Sequence, residues 1–156
     1  GKPFNLSGLK VAYLLAPDPL LRTNISRHLA LSGCDAISSF GATALIAAYN
    51  QGEEWLQALK NYLVENFGYL QNFLNEHLPE VTVSPLQATY LVWLDCRKLK
   101  KRSKTLQQEL LSKGKLWVNS GTLYGMPGEG YLRLNIACPR LQLIQGLNLL
   151  HKYSGL

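Results

Sequence analysis

Apolar residues recur along this chain with two different periods, and the switches between them mark out its elements. Residues 11–16 alternate Val11, Tyr13 and Leu15 between Gly8 and the break Pro17-Asp18-Pro19, which predicts a buried strand after a loop. From Asp18 the period lengthens. Leu21, Ile25 and Leu29 recur every four residues with Leu20 beside them, and Ser32-Gly33 closes a helix. A second helix is predicted over residues 41–49, stopping near Gly52. The longest periodic segment, residues 53–77, carries Trp55, Leu56, Leu59, Leu63, Phe67, Leu70 and Leu74 on one stripe, with Glu53 and Glu54 at the positive end of its dipole and Pro79 beyond its end. Residues 81–83 and 88–94 then alternate as strands and residues 105–113 read as a short helix. Residues 116–119 and 131–137 are further strands, and Pro139 opens a last helix with Leu143, Ile144, Leu147 and Leu150 on one face.

This order divides the chain into a strand-helix part, residues 1–52, and a later part, residues 53–156, that begins with the long helix. The later part reads as α+β, with helices covering one face of a mainly antiparallel sheet. Repeats and low-complexity tracts are absent from the sequence.

Composition narrows the class. With 156 residues, 47% hydrophobic and 17% charged, the chain has enough apolar material for an ordinary domain and too little charge for a disordered segment. Its apolar runs fall well short of the roughly 20 residues that cross a bilayer, and no charged segment precedes an apolar one as in an export signal, so no membrane partner is expected. Cys34, Cys96 and Cys138 are too far apart for a CxxC pattern, and an odd number argues against a complete disulfide framework. Reduced thiols in a cytosolic, cytoplasmic chain are the expectation. The net charge of +6 is spread along the sequence apart from Arg97, Lys98, Lys100, Lys101, Arg102 and Lys104, which read as a solvated loop between two elements, so no nucleic-acid partner is expected. His28, His77 and His151 lack metal-ligand spacing, so no metal is expected either.

Two residues carry candidate chemistry. Lys2 sits on a loop just before the first predicted strand, and a lysine there becomes a nucleophile, able to form an imine, if its site strips away solvating water. A solvated surface lysine is the alternative. Arg133 stands in the middle of an apolar strand, where a guanidinium needs an anion. An internal Asp or Glu would serve, and so would an external carboxylate held by two parallel hydrogen bonds.

The stretch Gly1-Lys2-Pro3-Phe4-Asn5-Leu6-Ser7-Gly8-Leu9 resembles the cofactor-lysine loop of fold-type I pyridoxal-phosphate enzymes. The match is to the cystathionine β-lyase, or C-S lyase, branch of the class I/II aminotransferase family. Ala47-Ala48-Tyr49-Asn50-Gln51-Gly52-Glu53-Glu54-Trp55-Leu56, Ala88-Thr89-Tyr90-Leu91-Val92-Trp93-Leu94-Asp95 and the strand around Arg133 resemble that branch in the same order. The resemblance implies an α/β chain that is the C-terminal portion of a fold-type I transferase. Residues 1–52 would end its large cofactor-binding domain, and residues 53–156 would form the linking helix and the small α+β domain.

It also implies that Lys2 bonds to pyridoxal 5'-phosphate and later moves the substrate Cα proton, and that Arg133 holds the α-carboxylate of a sulfur-containing amino acid. Lys10, eight residues after Lys2, stands where many such enzymes place an arginine on the cofactor phosphate. A lysine there offers charge without the fork, and a solvated role is the alternative. Asn119, Tyr124, Gly121, Gly125 and Gly128 resemble the family's turn near the site mouth, and turn-making is their expected role.

In that family the groups that stack on the cofactor ring, pair its nitrogen and touch its phenolic oxygen precede the lysine. The chain is therefore expected to be part of a longer, homodimeric protein and to be inactive alone. The whole is expected to be a carbon-sulfur β-lyase that cleaves cystathionine or related cysteine conjugates to pyruvate, ammonia and a thiol. The alternatives are an aminotransferase on the same scaffold and a non-catalytic interaction or regulatory domain that keeps the fold.

Overall fold

A computed structural model describes residues 1–154 of the chain, which divide into two compact units, Gly1–Leu59 and the described residues from Lys60 onward.

In the first unit the backbone turns tightly at the start, Leu6 N–H donating to Gly1 O at 2.9 Å, and a single 3-10 turn, Ser7–Leu9, ends at Lys10 in the left-handed region with φ 50°. Residues 11–16, predicted as a strand, form none. A strand requires a neighbour to receive its hydrogen bonds, and no described segment pairs with this one. Helix α1, Pro19–Leu31, starts where its residues dictate: Asp18 accepts from Leu20 N–H at 2.9 Å, and Pro19 occupies a first-turn position that needs no donor. It stops at Ser32, followed by Gly33 at φ +64°. Helix α2, Ser39–Gln51, buries only Gly41, whose missing side chain lets it approach Val11: a Cβ there would lie 3.1 Å from Val11 Cβ. Phe4 meets Tyr49 edge-on at 5.2 Å and stacks on Trp55 at 6.2 Å. Val11 and Ala16 are the buried apolar side chains of this unit.

Helix α3, Glu53–His77, begins in the first unit and ends in the second with the bounds its periodicity predicts. The second unit is built on a four-stranded antiparallel sheet: β1 (Thr82–Val83), β2 (Leu91–Asp95), β3 (Asn119–Ser120) and β4 (Tyr131–Asn135), in spatial order β1-β2-β4-β3. Helices α4, Ser103–Gly114, and α5, Arg140–Tyr153, complete it.

Alternation along the strands sends Val92, Leu94 and Leu132 to one face. There they join Leu70 and Leu74 of α3, Leu106 and Leu110 of α4 and Leu147 and Leu150 of α5 in one cluster, each at most 2% exposed. Burying a leucine fully is worth about 1.5–3 kcal/mol, so this cluster dominates the unit's stability.

Strand boundaries differ from the predicted ones for local reasons. Strand β2 starts at Leu91 rather than residue 88 because Thr89 takes φ +66°, outside extended geometry, with its Oγ1 accepting from Leu91 N–H at 3.2 Å. Strand β4 ends at Asn135, whose Oδ1 accepts from Ala137 N–H at 2.8 Å and turns the chain toward α5. That turn is held from α3 by fully buried Asn66. Its amide donates to Ile136 O at 2.8 Å and to Cys138 O at 3.1 Å, and its Oδ1 accepts from Arg140 Nε at 2.8 Å.

Candidate active site

Lys2 lies in the tight turn that opens the first unit, where Asn5 N–H donates to Lys2 O at 3.4 Å, and it is exposed. Lys10 is exposed at the left-handed end of the following 3-10 turn. A primary amine and a second cation eight residues on, both at the surface of one short loop, fit in kind an aldehyde cofactor that carries a phosphate.

Arg133 belongs to the second unit, on the sheet face opposite buried Leu132. Pairing puts it level with Trp93 on β2 and Asn119 on β3, so the three residues form one row across the sheet. Tyr124 reaches that row from the 3-10 turn Gly121–Tyr124 that follows β3. Its ring centroid lies 4.3 Å from Arg133 Cζ, Trp93 meets it edge-on at 5.4 Å, and Asn119 Nδ2 donates to its Oη at 3.2 Å.

The turn that carries Tyr124 is anchored beyond it. Gly121 and Gly128 approach so closely that a Cβ on either would collide with the other's backbone. Glu129 caps α4 from a distance, accepting from Ser103 N–H at 2.8 Å, Gly130 N–H at 3.2 Å and Ser103 Oγ at 3.3 Å, while Ser103 Oγ accepts from Gly130 N–H at 2.6 Å. The Ser103 N–H, more than the other donors, keeps the Glu129 carboxyl below the ordinary glutamate range.

No described acid pairs with Arg133. Asp95, at the end of the neighbouring strand, is engaged by Arg97 at 2.7 and 2.9 Å, which lowers its pKa, and Glu129 is committed to Ser103 and Gly130. The buried Nε of Arg133 has no acceptor among the described residues. The internal ion pair that the sequence left open is thus not formed, and the guanidinium rests on an aromatic ring.

Two members of the basic run are ion-paired: Arg97 with Asp95, and Lys101 with Glu109 at 2.7 Å. Among the described residues no group of three or more His, Cys, Asp or Glu side chains is arranged to hold a metal, and no helix is long and apolar enough to cross a membrane.

Tyr124 and Trp93 are what sequence reasoning undervalued. It assigned the first to turn-making and placed the second only within a family-like motif; both are distant from Arg133 along the chain, and sheet register and the turn after β3 bring them beside it.

The fold is that of the C-terminal portion of a fold-type I pyridoxal-phosphate transferase, mainly its small α+β domain. The C-S lyase of Staphylococcus hominis, solved with pyridoxal phosphate bound, superposes with a TM-score of 0.85 at 29% identity over 97% of this chain and 39% of its own. Cystalysin of Treponema denticola, solved with pyridoxal 5'-phosphate, shares the fold at a TM-score of 0.90 and 23% identity, over 97% of this chain and 38% of its own.

Residues 1–147 match the family model for aminotransferase class I and II, and the chain belongs to that family. It is 38% identical to cystathionine beta-lyase PatB of Bacillus subtilis over 146 residues and 39% identical to protein MalY of Escherichia coli over 152 residues, in each case over 94% of this chain. It spans 38% of the length of either protein.

Proposed function

We propose that this chain is part of a pyridoxal-phosphate-dependent carbon-sulfur β-lyase that acts on cystathionine or related cysteine conjugates, as a cytoplasmic homodimer. Residues 1–52 end its cofactor domain and residues 53–156 form its linking helix and small domain. The observation that carries this reading is Arg133: a strand arginine whose guanidinium meets a tyrosine ring and no internal acid suits an anion brought in from outside.

In this reading Arg133 takes the α-carboxylate of the amino acid in its fork and so fixes the orientation of Cα. Lys2 holds the cofactor through its amine, and once that amine is released it accepts the Cα proton. Lys10 adds positive charge near the cofactor phosphate. When bound, pyridoxal phosphate supplies the electron sink for the pair left at Cα. The Cβ–S bond then breaks, the sulfur leaves with a proton as a thiol, and hydrolysis of the remaining fragment yields pyruvate and ammonia.

An aminotransferase is the second reading, favoured by 25% identity to the aspartate aminotransferase of Pyrococcus horikoshii. It differs in the fate of the proton, which returns to the cofactor rather than accompanying loss of sulfur. Product analysis with the full-length protein separates the two. Cystathionine converted to pyruvate, ammonia and thiol in equal amounts supports the lyase, a keto acid that retains the sulfur side chain supports the aminotransferase, and no turnover of any amino acid supports a non-catalytic domain.

A further inference from the structure

We propose that Tyr124 is a positioning residue, whose ring, fixed by Trp93 and Asn119, sets the plane of the Arg133 guanidinium so that its fork is presented ready-made to a carboxylate. The inference rests on the reading of Arg133 as the carboxylate site.

An arginine on a strand has a long, flexible stem, and ordering it opposes binding unless something orders it beforehand. Salt bridges usually do this, but none serves Arg133 among the described residues. Its guanidinium carbon instead lies 4.3 Å from the Tyr124 ring centroid, within cation–π range. A ring face engages the guanidinium plane while leaving the edge, where the donors of the fork point, available to an anion. An acid partner would have occupied that edge.

Tyr124 can act this way only if it is itself immobile, and two side chains fix it. The Trp93 ring stands against it at 81° and 5.4 Å, and the Asn119 amide donates to its hydroxyl at 3.2 Å. Trp93 and Asn119 flank Arg133 on adjacent strands, so the sheet register that places the arginine also places both supports of its ring. Turn formation by itself requires none of these contacts. It rests on Gly121, Gly125 at φ +115° and Gly128.

The test compares wild type, Tyr124→Phe, Tyr124→Leu and Asn119→Ala in the full-length protein. Two quantities are measured: the affinity for a non-reacting L-amino acid relative to its carboxamide, and the 15N–1H resonance of Arg133 Nε. Tyr124→Leu is expected to weaken carboxylate binding about tenfold while leaving the carboxamide unchanged, and to broaden or shift the Nε–H signal toward that of a mobile arginine. Tyr124→Phe keeps the ring but gives up the hydroxyl that Asn119 holds, so it and Asn119→Ala, each lacking that one support, should fall together between wild type and Tyr124→Leu. Asn119→Ala provides the same test if the leucine variant folds poorly.

In saturation kinetics the loss should appear in KM rather than kcat. A wild-type protein that prefers the carboxylate, with Tyr124→Leu and Asn119→Ala doing so equally well and with unaltered Nε–H signals, would overturn the role of Tyr124 alone. A wild-type protein without that preference would overturn the reading of Arg133 and this inference with it.

Discussion

The two units treat their apolar residues in opposite ways. In the second, leucines from α3, α4, α5 and two strands meet in one cluster that is almost fully excluded from solvent. In the first, α1 buries none of its residues and α2 only a glycine, while Tyr13, Leu14, Leu15, Leu20, Leu31, Phe40 and Ile46 stand 57–83% exposed. Both units carry clear helical periodicity, so the pattern alone does not distinguish them. What differs is whether the chain itself supplies the opposing surface. An exposed apolar area of this extent is larger than isolated folded proteins usually leave to water. Under the proposed function, the remainder of the cofactor domain covers it.

Thiol labelling should expose the contrast most strongly. Burial pushes the Cys96 thiol up to about 12, whereas Cys34 is exposed on the first unit. At pH 8 the thiolate of Cys96 is scarce by about a thousandfold relative to a thiol near 9, and access lowers its rate further. Cys34 should label at once and Cys96 only when the second unit unfolds, as mass spectrometry over time would show. Equal rates would mean that the second unit is no better packed than the first.

Core truncations should give the next largest difference. In the 156-residue chain by itself, Leu94→Ala removes a fully buried side chain and should cost about 2–5 kcal/mol of unfolding free energy, while Leu15→Ala, at a position 83% exposed, should fall within about 0.5 kcal/mol of wild type. Chemical denaturation followed by tryptophan fluorescence measures both. A comparable loss at Leu15 would show that the first unit has a core of its own.

Acid should act more gently, and on the second unit. Glu129, held down chiefly by the Ser103 N–H, and Asp95 and Glu109, held down chiefly by Arg97 and Lys101, all have folded-state pKa values below their unfolded ones. Each therefore binds its proton more readily in the unfolded chain. The stability they contribute is present above the ordinary carboxyl range near pH 4 and is lost as pH falls through the lower folded values. The denaturation midpoint should fall below about pH 4.5, and Glu129→Gln should flatten that slope. A slope unaltered in the variant would remove Glu129 from the set.

The sequence was most legible where local signals agreed with packing. Residues 53–77 became a helix with those bounds because the apolar stripe, the acidic first turn and Pro79 all indicate the same element. It was least legible where the partner of a segment lies elsewhere. Residues 11–16 have strand alternation, but alternation cannot supply the neighbouring strand that makes one. Thr89 shortened β2 through a left-handed backbone that nothing in a threonine announces. Asn66 was hidden by its place in a helical stripe, although its amide joins residues about seventy positions away.

The candidate site divides in the same way. Arg133 stood out as an arginine within an apolar strand, yet whether an internal acid would satisfy it depended on where Asp95 and Glu129 point, and each has another partner. Lys2 stood out weakly by its place before a predicted strand, Lys10 was found through resemblance, and the roles of both belong to the proposal. Tyr124 could not be separated from its turn until the ring was seen over the guanidinium.

The most direct measurement is substrate saturation in the full-length protein bearing Arg133→Ala. If Arg133 carries the α-carboxylate, capture of the amino acid should weaken by about 2–5 kcal/mol, with KM rising about thirtyfold or more and the fold intact. Saturation kinetics identical to wild type would contradict the central claim and leave Arg133 a structural residue of the sheet.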